Sequence, residues 1–544
     1  MIIYDVLAER ILDFYTLYKS DFNNSCMIAK TRFEKKTWTL DPATTSFRIK
    51  LYNDYLEGLN KEIIKTLPQV DVDSWLGIKQ AYENLLHSFA YPEHARTFFN
   101  SIARFYFYNT YNGRDIYFEL IEDENRMVST KKFTINHSTK HTSSFFSLLA
   151  WNVTHQNLIY DTTALQHMAI GTQHKSEVVF EFYEELFYRN KKAYLLGRFL
   201  DKENPVAVAI KFAQTNEGVF IEEILKGEDK VKKAFEFTRS YFWVNTEDPV
   251  ALVNYLLTLM PSKPREQLFI NIGYIKHGKS VQYHHLMKAL SHPTAQMVVA
   301  PGVRGLVMQV FTLPDYHLVF KMIKDKCSPP KNVTKNHVKN RYQFVGNHDR
   351  VGRIADTQEY HHFKLDKKIF EPNLLADLLA QSSEEVTLVG DSVVLRHFYL
   401  ERKMVPLDIY IQQNADRKSV EAIIDYGNAI KELAEANIFP GDLLIKNFGV
   451  TSDGKVIFYD YDEIVKVTEC NFRVFPEYDD DDDMDYYSAE PAYHVAPEDI
   501  FPQEFEKFLI PNGILKDVFL KNHGELFTQK YWQELKDRIL DSEI

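Results

Sequence analysis

The chain has 544 residues, a length that at roughly 150 residues per domain corresponds to two to four units. With 45% hydrophobic and 14% aromatic residues and only 20 each of Gly and Pro, it can bury sizeable cores, which excludes a disordered chain. The net charge of −12 argues against nucleic acid as a partner, because proteins that neutralise phosphates carry a basic excess.

In chain order, the first hundred residues read as helix. Leu7, Ile11, Phe14 and Tyr18 recur on one helical stripe, and Ser74 is placed to cap WLGIKQAYENLLHSF. The N-terminal MIIYDVLAERILDFY does not read as a signal peptide, and no run of about 18 apolar residues occurs, so no membrane span is expected. Between about 105 and 135, aromatic and β-branched residues alternate with polar ones and predict strands. PVAVAIKFAQTNEGVFIEEIL predicts a hairpin, with Val206, Val208, Ile210 and Phe212 on one face and NEG as the turn. A helix VALVNYLLTLM follows, then an apolar strand QLFINI leading into GYIKHGKS and another helix. The texture changes after SHPTAQMVVAPG, which places a domain boundary near 295. Beyond it come strand, glycine turn and strand, a helix in HVKNRYQFVGNHDRVG, further strands and a long helix before 438. The aspartate run in YDDDDDMDYY (478–487) reads as a solvated loop, since like charges repel and stay in water. Cys26, Cys327 and Cys470 are odd in number and in no CxxC spacing, which disfavours a disulfide framework or zinc site and points to a reducing, cytoplasmic setting.

The segment NIFPGDLLIKNFGVTSDGKVIFYDYDEI carries the strongest chemical signal. Asp442 and Asn447 form D-x-x-x-x-N, and Asp460 follows at the end of the apolar strand VIFY. The turn SDG closes a hairpin that brings the three together, the layout of a protein-kinase-like catalytic loop and metal-binding strand. Asp442 would take or orient a hydroxyl proton, while Asn447 and Asp460 offer hard oxygens suited to Mg²⁺. The alternative is that Asp442 merely caps a helix and the later aspartates sit in a surface turn. Upstream, APGVRGL (300–306) is a turn in which Gly302 and Gly305 let backbone N–H groups approach phosphate oxygens. Lys321 in LVFKMIK then supplies an ammonium for nucleotide phosphates. Lys324 is its rival, and the strand pleat allows only one of them to point inward.

The segments APGVRGLVMQVFTLP, VFKMIKDK, HDRVGRIADTQEY, NAIKELAEANIFPGDLLIKNFGV and VIFYDYDEI, with RFEKKTW and KHGKS earlier, resemble the isocitrate dehydrogenase kinase/phosphatase family through most of the chain. The resemblance implies an α+β protein: a mostly helical N-terminal regulatory domain (1–295) and a C-terminal bilobal protein-kinase-like domain (296–544). It implies a bifunctional enzyme that phosphorylates and dephosphorylates a serine of NADP-dependent isocitrate dehydrogenase at one ATP/Mg²⁺ site, with AMP as allosteric effector. By the same resemblance, Ala300, Pro301, Gly302, Val303, Arg304, Gly305 and Leu306 form the ATP loop and Lys321 contacts ATP. Asp442 is the kinase base, Asn447 and Asp460 are metal ligands with Asp462 as helper, and Asp356 serves the phosphatase reaction. From residues alone, Asp356 with Glu359 is only a carboxylate pair near a helix end. The chain departs from eukaryotic-type kinases in having Pro440-Gly441 before the catalytic aspartate, Leu444 where a lysine is common, and Asp460-Tyr461-Asp462 in place of DFG. Family members are expected to continue beyond LKDRILDSEI into a more basic tail.

GYIKHGKS (273–280) matches the phosphate-loop pattern G-x-x-x-x-G-K-[ST] in every fixed position. A P-loop ATPase therefore stands as a rival, as does a non-catalytic kinase-fold scaffold. Against the P-loop, Tyr274, Ile275, Lys276 and His277 are bulky and the strand aspartate such a site needs is absent nearby. A basic turn able to meet an anionic effector is the preferred reading. The pairs His284–His285 and His361–His362, taken as helical neighbours, point about 100° apart and do not predict a metal site.

Overall fold

The computed structural model describes residues 3–37, 42–107, 114–121, 125–136, 158–159, 177–189, 191–200, 205–235, 242–348, 352–414, 417–452, 454–474, 495–510 and 513–543. These divide into two compact units, the first ending at Pro293 and the second beginning at Thr294. The aspartate run at 479–483 lies outside the described residues. No described helix is long and apolar enough to cross a membrane.

The first unit opens with helices Ile3–Lys35, Pro42–Thr66, Val72–Leu86 and Glu93–Phe107. In the first helix the buried stripe runs Leu7, Ile11, Tyr15, Tyr18, Phe22, so Tyr15 takes the central place expected of Phe14, which is only half-buried. The helix Val72–Leu86 is capped by Asp71, whose Oδ1 accepts from the Ser74 backbone N–H at 2.8 Å. Ser74 is therefore the third residue of the helix and not its cap; the carboxylate one turn earlier is the better acceptor for an orphan N–H. Trp75, Phe98 and Phe99 are fully buried, and the Trp75 indole donates to the Ile116 carbonyl at 3.1 Å. Among the described residues of the expected strands over 105–135, the strand is β1 (Thr130–Asn136), and Phe107 still belongs to the preceding helix.

The strands β2 (Leu158–Ile159), β3 (Glu177–Tyr183), β4 (Phe187–Arg189), β5 (Lys192–Leu200), β6 (Val206–Gln214) and β7 (Val219–Lys226) join β1 in a sheet of order β1-β3-β5-β6-β7-β2, with β4 on β5. The β6–β7 hairpin closes through Thr215 N–H to the Gly218 carbonyl at 2.9 Å, and Gly218 has φ 144°. Val208, Ile210 and Phe212 face a buried cluster with Phe180 and Phe182, as period-2 alternation requires. The helix Pro249–Leu259 follows, capped by Asp248.

QLFINI is helical, not a strand: Gln267–Asn271 belong to the helix Arg265–Asn271 and Ile272 caps its end. Its apolar run is ambiguous in period, and Leu268, Phe269, Ile270 and Ile272 are buried while Gln267 is half-buried. GYIKHGKS consequently is a turn between two helices: Gly273 has φ 88°, and Ile275 begins the helix Ile275–Leu290. Gly278, Lys279 and Ser280 lie inside that helix. The Gly278 N–H is spent on the Tyr274 carbonyl at 2.9 Å, and a Cβ on Gly278 would come within 2.7 Å of the Glu266 carbonyl oxygen. His277 is buried and bonded to the Thr97 hydroxyl at 2.7 Å. A loop whose N–H groups are consumed in a helix cannot cradle phosphates, so the P-loop reading is withdrawn.

The second unit has a sheet of order β11-β13-β10-β9-β8, with β12 on β13. Its strands are β8 (Val298–Val299), β9 (Met308–Thr312), β10 (Leu318–Ile323), β11 (Thr357–Asp366), β12 (Val386–Val389) and β13 (Ser392–Arg402). The helix Lys335–His348 lies on one face of it, with the Tyr342 ring 4.1 Å from that of Tyr399. A helical layer follows, built on Arg417–Glu435, whose Ile423, Tyr426, Ile430 and Leu433 are fully buried, and on Ile514–His523 and Gln529–Glu543. Between these layers runs a small sheet of β14 (Val405–Pro406), β15 (Phe448–Val450) and β16 (Val456–Phe458).

Candidate active site

The β15–β16 hairpin pairs Phe448 with Phe458 and Val450 with Val456, turning at Gly454 with φ 80°. The ladder continues one step, with Tyr459 N–H donating to the Asn447 carbonyl at 3.1 Å, so Asn447 and Asp460 leave the same end of the hairpin. Asn447 is buried and its Nδ2 donates to the Asp442 carbonyl at 3.2 Å, which leaves Oδ1 as the acceptor for a cation. The Asp442 Oδ1 accepts from Leu444 N–H at 3.0 Å, fixing the loop's turn. The loop is anchored at its start and end: Phe439 and Val465 exchange both backbone hydrogen bonds, and the Tyr426 hydroxyl donates to the Leu443 carbonyl. Gly441 is needed here, since it has φ 79° and a Cβ would lie 2.4 Å from the Glu463 carbonyl oxygen.

Lys321, on β10, reaches this hairpin. Its Nζ lies 2.6 Å from Glu401 Oε2 and donates to the Tyr459 carbonyl at 2.7 Å, with both side chains of the ion pair buried. Burial pushes the Asp460 carboxyl up to about 7; the neighbouring Asp462 carboxylate adds to the rise, and Lys321 and Lys331 pull it back. Lys331 holds Asp462 at 3.0 Å and also pairs with Glu463. Two carboxyl groups this close in a low-dielectric site are poised for a cation. Lys324 points away from this centre: its Nζ donates to the Gly305 carbonyl at 2.8 Å and to Ser328 Oγ at 3.2 Å.

The 300–306 segment turns between β8 and β9, with Ala300 N–H bonded to the Val310 carbonyl at 3.0 Å. Pro301, Gly302, Val303, Arg304 and Gly305 are exposed, Leu306 is half-buried, and Arg304 pairs with Asp377 at 3.2 Å. Gly302 has φ 118°, and a Cβ on Gly305 would meet the Met308 carbonyl at 2.7 Å. Lys324 therefore tethers the turn while Lys321 faces the carboxylates.

Asp356 is not near a helix end. The segment before it runs parallel to β16, with Phe458 N–H to Arg353 O at 2.8 Å and Ala355 N–H to Phe458 O at 3.1 Å. That register carries Asp356 alongside the residues just after β16, at the entry to β11, where Gln358 Nε2 donates to its Oδ2 at 2.9 Å. Arg353 clamps the arrangement: its guanidinium bonds Asp425 at 2.7 and 2.8 Å, Glu432 at 2.7 and 3.1 Å, and the Val456 carbonyl at 3.0 Å. Sequence reasoning missed Arg353, Glu401 and Lys331, since each meets its partner through strand or helix packing and no local motif marks it.

Two family descriptions match the chain: "Isocitrate dehydrogenase kinase/phosphatase (AceK), regulatory domain" over residues 8–294 and the corresponding "kinase domain" over residues 295–544. The chain belongs to the isocitrate dehydrogenase kinase/phosphatase family. The isocitrate dehydrogenase kinase/phosphatase of Serratia proteamaculans is 37% identical to it over 559 residues, covering 99% of this chain and 94% of the relative. Those of Burkholderia thailandensis and Yersinia pseudotuberculosis are each 36% identical, over 99% of this chain and 92% and 96% of their own lengths.

This family member is α+β, with an N-terminal regulatory and a C-terminal kinase domain. In one respect it departs from the general protein-kinase arrangement, where the strand lysine pairs with a glutamate on the adjacent helix. Here the helix over the sheet, KNHVKNRYQFVGNH, has no acidic residue, and the acid comes from strand β13 as Glu401.

Proposed function

We propose that this chain transfers the γ-phosphoryl group of ATP to a serine of NADP-dependent isocitrate dehydrogenase and removes it again, using one nucleotide–metal site in the second unit. The observation that carries the reading is the buried centre in which Lys321, held by Glu401 and the Tyr459 carbonyl, faces the Asp460–Asp462 carboxylates. The donor set is all hard oxygen with one ammonium, which suits Mg²⁺ and phosphate. Asn447, Asp460 and Asp462 would hold the metal, which when bound neutralises charge on the phosphates.

The roles of the chain's own groups follow. Lys321 binds phosphate oxygens, and the 300–306 turn covers the nucleotide with backbone N–H groups. Asp442 orients the substrate serine and takes its proton as the serine oxygen–phosphorus bond forms and the γ-phosphoryl bond to ADP breaks. In the reverse reaction water takes the place of serine as nucleophile, with Asp356 orienting it, and the phosphoserine bond breaks to release inorganic phosphate. Residues 1–295 act as the regulatory part and 296–544 as the catalytic part, with AMP as the effector that shifts the balance. The expected setting is cytoplasmic.

The test incubates the protein with ATP, Mg²⁺ and isocitrate dehydrogenase and follows serine phosphate, with and without AMP. Transfer that Asp442→Ala abolishes, and that AMP reverses, supports the reading. ATP bound without any phosphoserine formed would leave a nucleotide-binding scaffold instead.

A further inference from the structure

Glu359, His361 and His397 form a second cluster on the same face of the β11-β13-β10 sheet that carries Lys321. His361 and His397 are direct cross-strand partners, and Glu359 lies two residues before His361 on its side of the pleat. Glu359 Oε1 is 2.7 Å from His397 Nε2 and 3.4 Å from His361 Nε2, and one potential ligand atom from each residue lies within 4.8 Å of the others. In the row beside them, Tyr399 pairs with Lys321 on one side and Glu359 on the other.

Three features mark this as a built site. His397 is 4% exposed, its Nε2 is aimed at Glu359 Oε1 and its ring lies 5.0 Å from that of His361, so a buried imidazole nitrogen points into the cluster. A ring buried with one nitrogen fixed toward a carboxylate is held in place as a ligand rather than free to turn. His361 and Glu359 are half-exposed, which leaves an open side for entry and for an exogenous ligand. His362, next to His361, has φ 54°, an uncommon backbone for a residue with a side chain, and it interrupts the ladder between His361 and Phe363.

We propose that Glu359, His361 and His397 bind a borderline divalent cation of the zinc class, with an open fourth position. Two imidazoles and one carboxylate are the ligand types that suit zinc and its neighbours, and imidazole disfavours Mg²⁺ and Ca²⁺. With bonds of about 2.0–2.1 Å, tetrahedral ligand atoms stand roughly 3.3 Å apart. The contacts at 2.7 and 3.4 Å reach that spacing by small side-chain rotations, with the proton shared between Glu359 and His397 displaced to solvent. The cation would tie β11 to β13 just beyond Asp356, and the site is distinct from the oxygen-only centre at Asp460.

The experiment uses the full chain, stripped with chelator and kept in excess Mg²⁺, titrated with Co²⁺ as a visible-absorbing probe and with Zn²⁺ by calorimetry. One tight site with tetrahedral Co²⁺ bands is expected. His361→Ala and Glu359→Gln, both at half-exposed positions and checked for fold by circular dichroism, should weaken it by roughly tenfold or more. Asp460→Asn should leave the bands intact. Absence of a tight site in the unaltered protein, retention of the bands in both variants, or their loss in Asp460→Asn would each overturn the assignment.

Discussion

Lys321 Nζ stands 2.6 Å from Glu401 Oε2, and the acid is supplied by the adjacent strand β13, two residues along from Tyr399, the cross-strand partner of Lys321, not by the helix that packs over the sheet. Removing one partner of a buried pair strands the other charge, at a cost of about 3–5 kcal/mol. Glu401→Ala is therefore expected to lower the urea midpoint of the second unit and raise the KM for ATP. Unchanged stability and KM in that variant would show the pair to be incidental.

Asp442 lies on the loop before β15 and Asp356 on the segment beside β16. Asp442→Ala should reduce phosphorylation about 100-fold or more, in the range lost when a positioned acid–base group is removed. Asp356→Ala should depress dephosphorylation more than phosphorylation. The check is to measure both directions in each variant; equal losses in both directions for Asp356→Ala argue against a selective role.

Gly441 has φ 79°, and its position offers a Cβ no space against the Glu463 backbone. Gly441→Ala should cost about 1–3 kcal/mol of strain and displace the Asp442 loop. Urea unfolding should register the loss, and activity should fall with it, since the same turn places Asp442.

Lys279 lies inside a helix while Lys321 faces the carboxylates. Lys279→Ala should keep nucleotide affinity and Lys321→Ala should lose it, as read by equilibrium binding of a fluorescent ATP analogue. The opposite pattern would restore the phosphate-loop reading of residues 273–280.

His94 in the first unit is fully enclosed by Tyr15, Tyr18, Tyr274 and His277, and burial, then the charge of His277, hold its pKa well below the usual histidine value. A depressed histidine pKa means that the unfolded chain takes up the proton first. Stability is thus full above the unfolded value of about 6.5 and falls as pH drops below it toward the folded value, by up to about 1.4 kcal/mol per pH unit. Urea midpoints at pH 7.5 and 5.5 measure the slope, and His94→Gln should flatten it.

Much of the architecture was legible in the chain. The helical stripe through Leu7, Ile11 and Tyr18, the β6–β7 hairpin, the hairpin closed at Gly454 and the glycine turn at 302–305 all follow from patterns within a few residues. Periodicity and turn chemistry are local, so the residues that cause them are also the ones that show them. QLFINI fails that test because a short apolar run satisfies both periods, and only the folded chain shows it to be helical.

The partners were decided elsewhere. Which acid meets Lys321 and whether His361 faces His397 depend on the register of β10, β11 and β13, where a one-residue slip would reverse each of those side chains, and where Asp356 lies depends on the pairing of its segment with β16. No window of the sequence contains that register. It is set by packing over the whole sheet, where Phe320, Phe398 and Tyr360 stack on one face and Tyr342 and Tyr399 on the other, and only the folded chain brings Glu401, Lys321 and Asp460 within reach of one another.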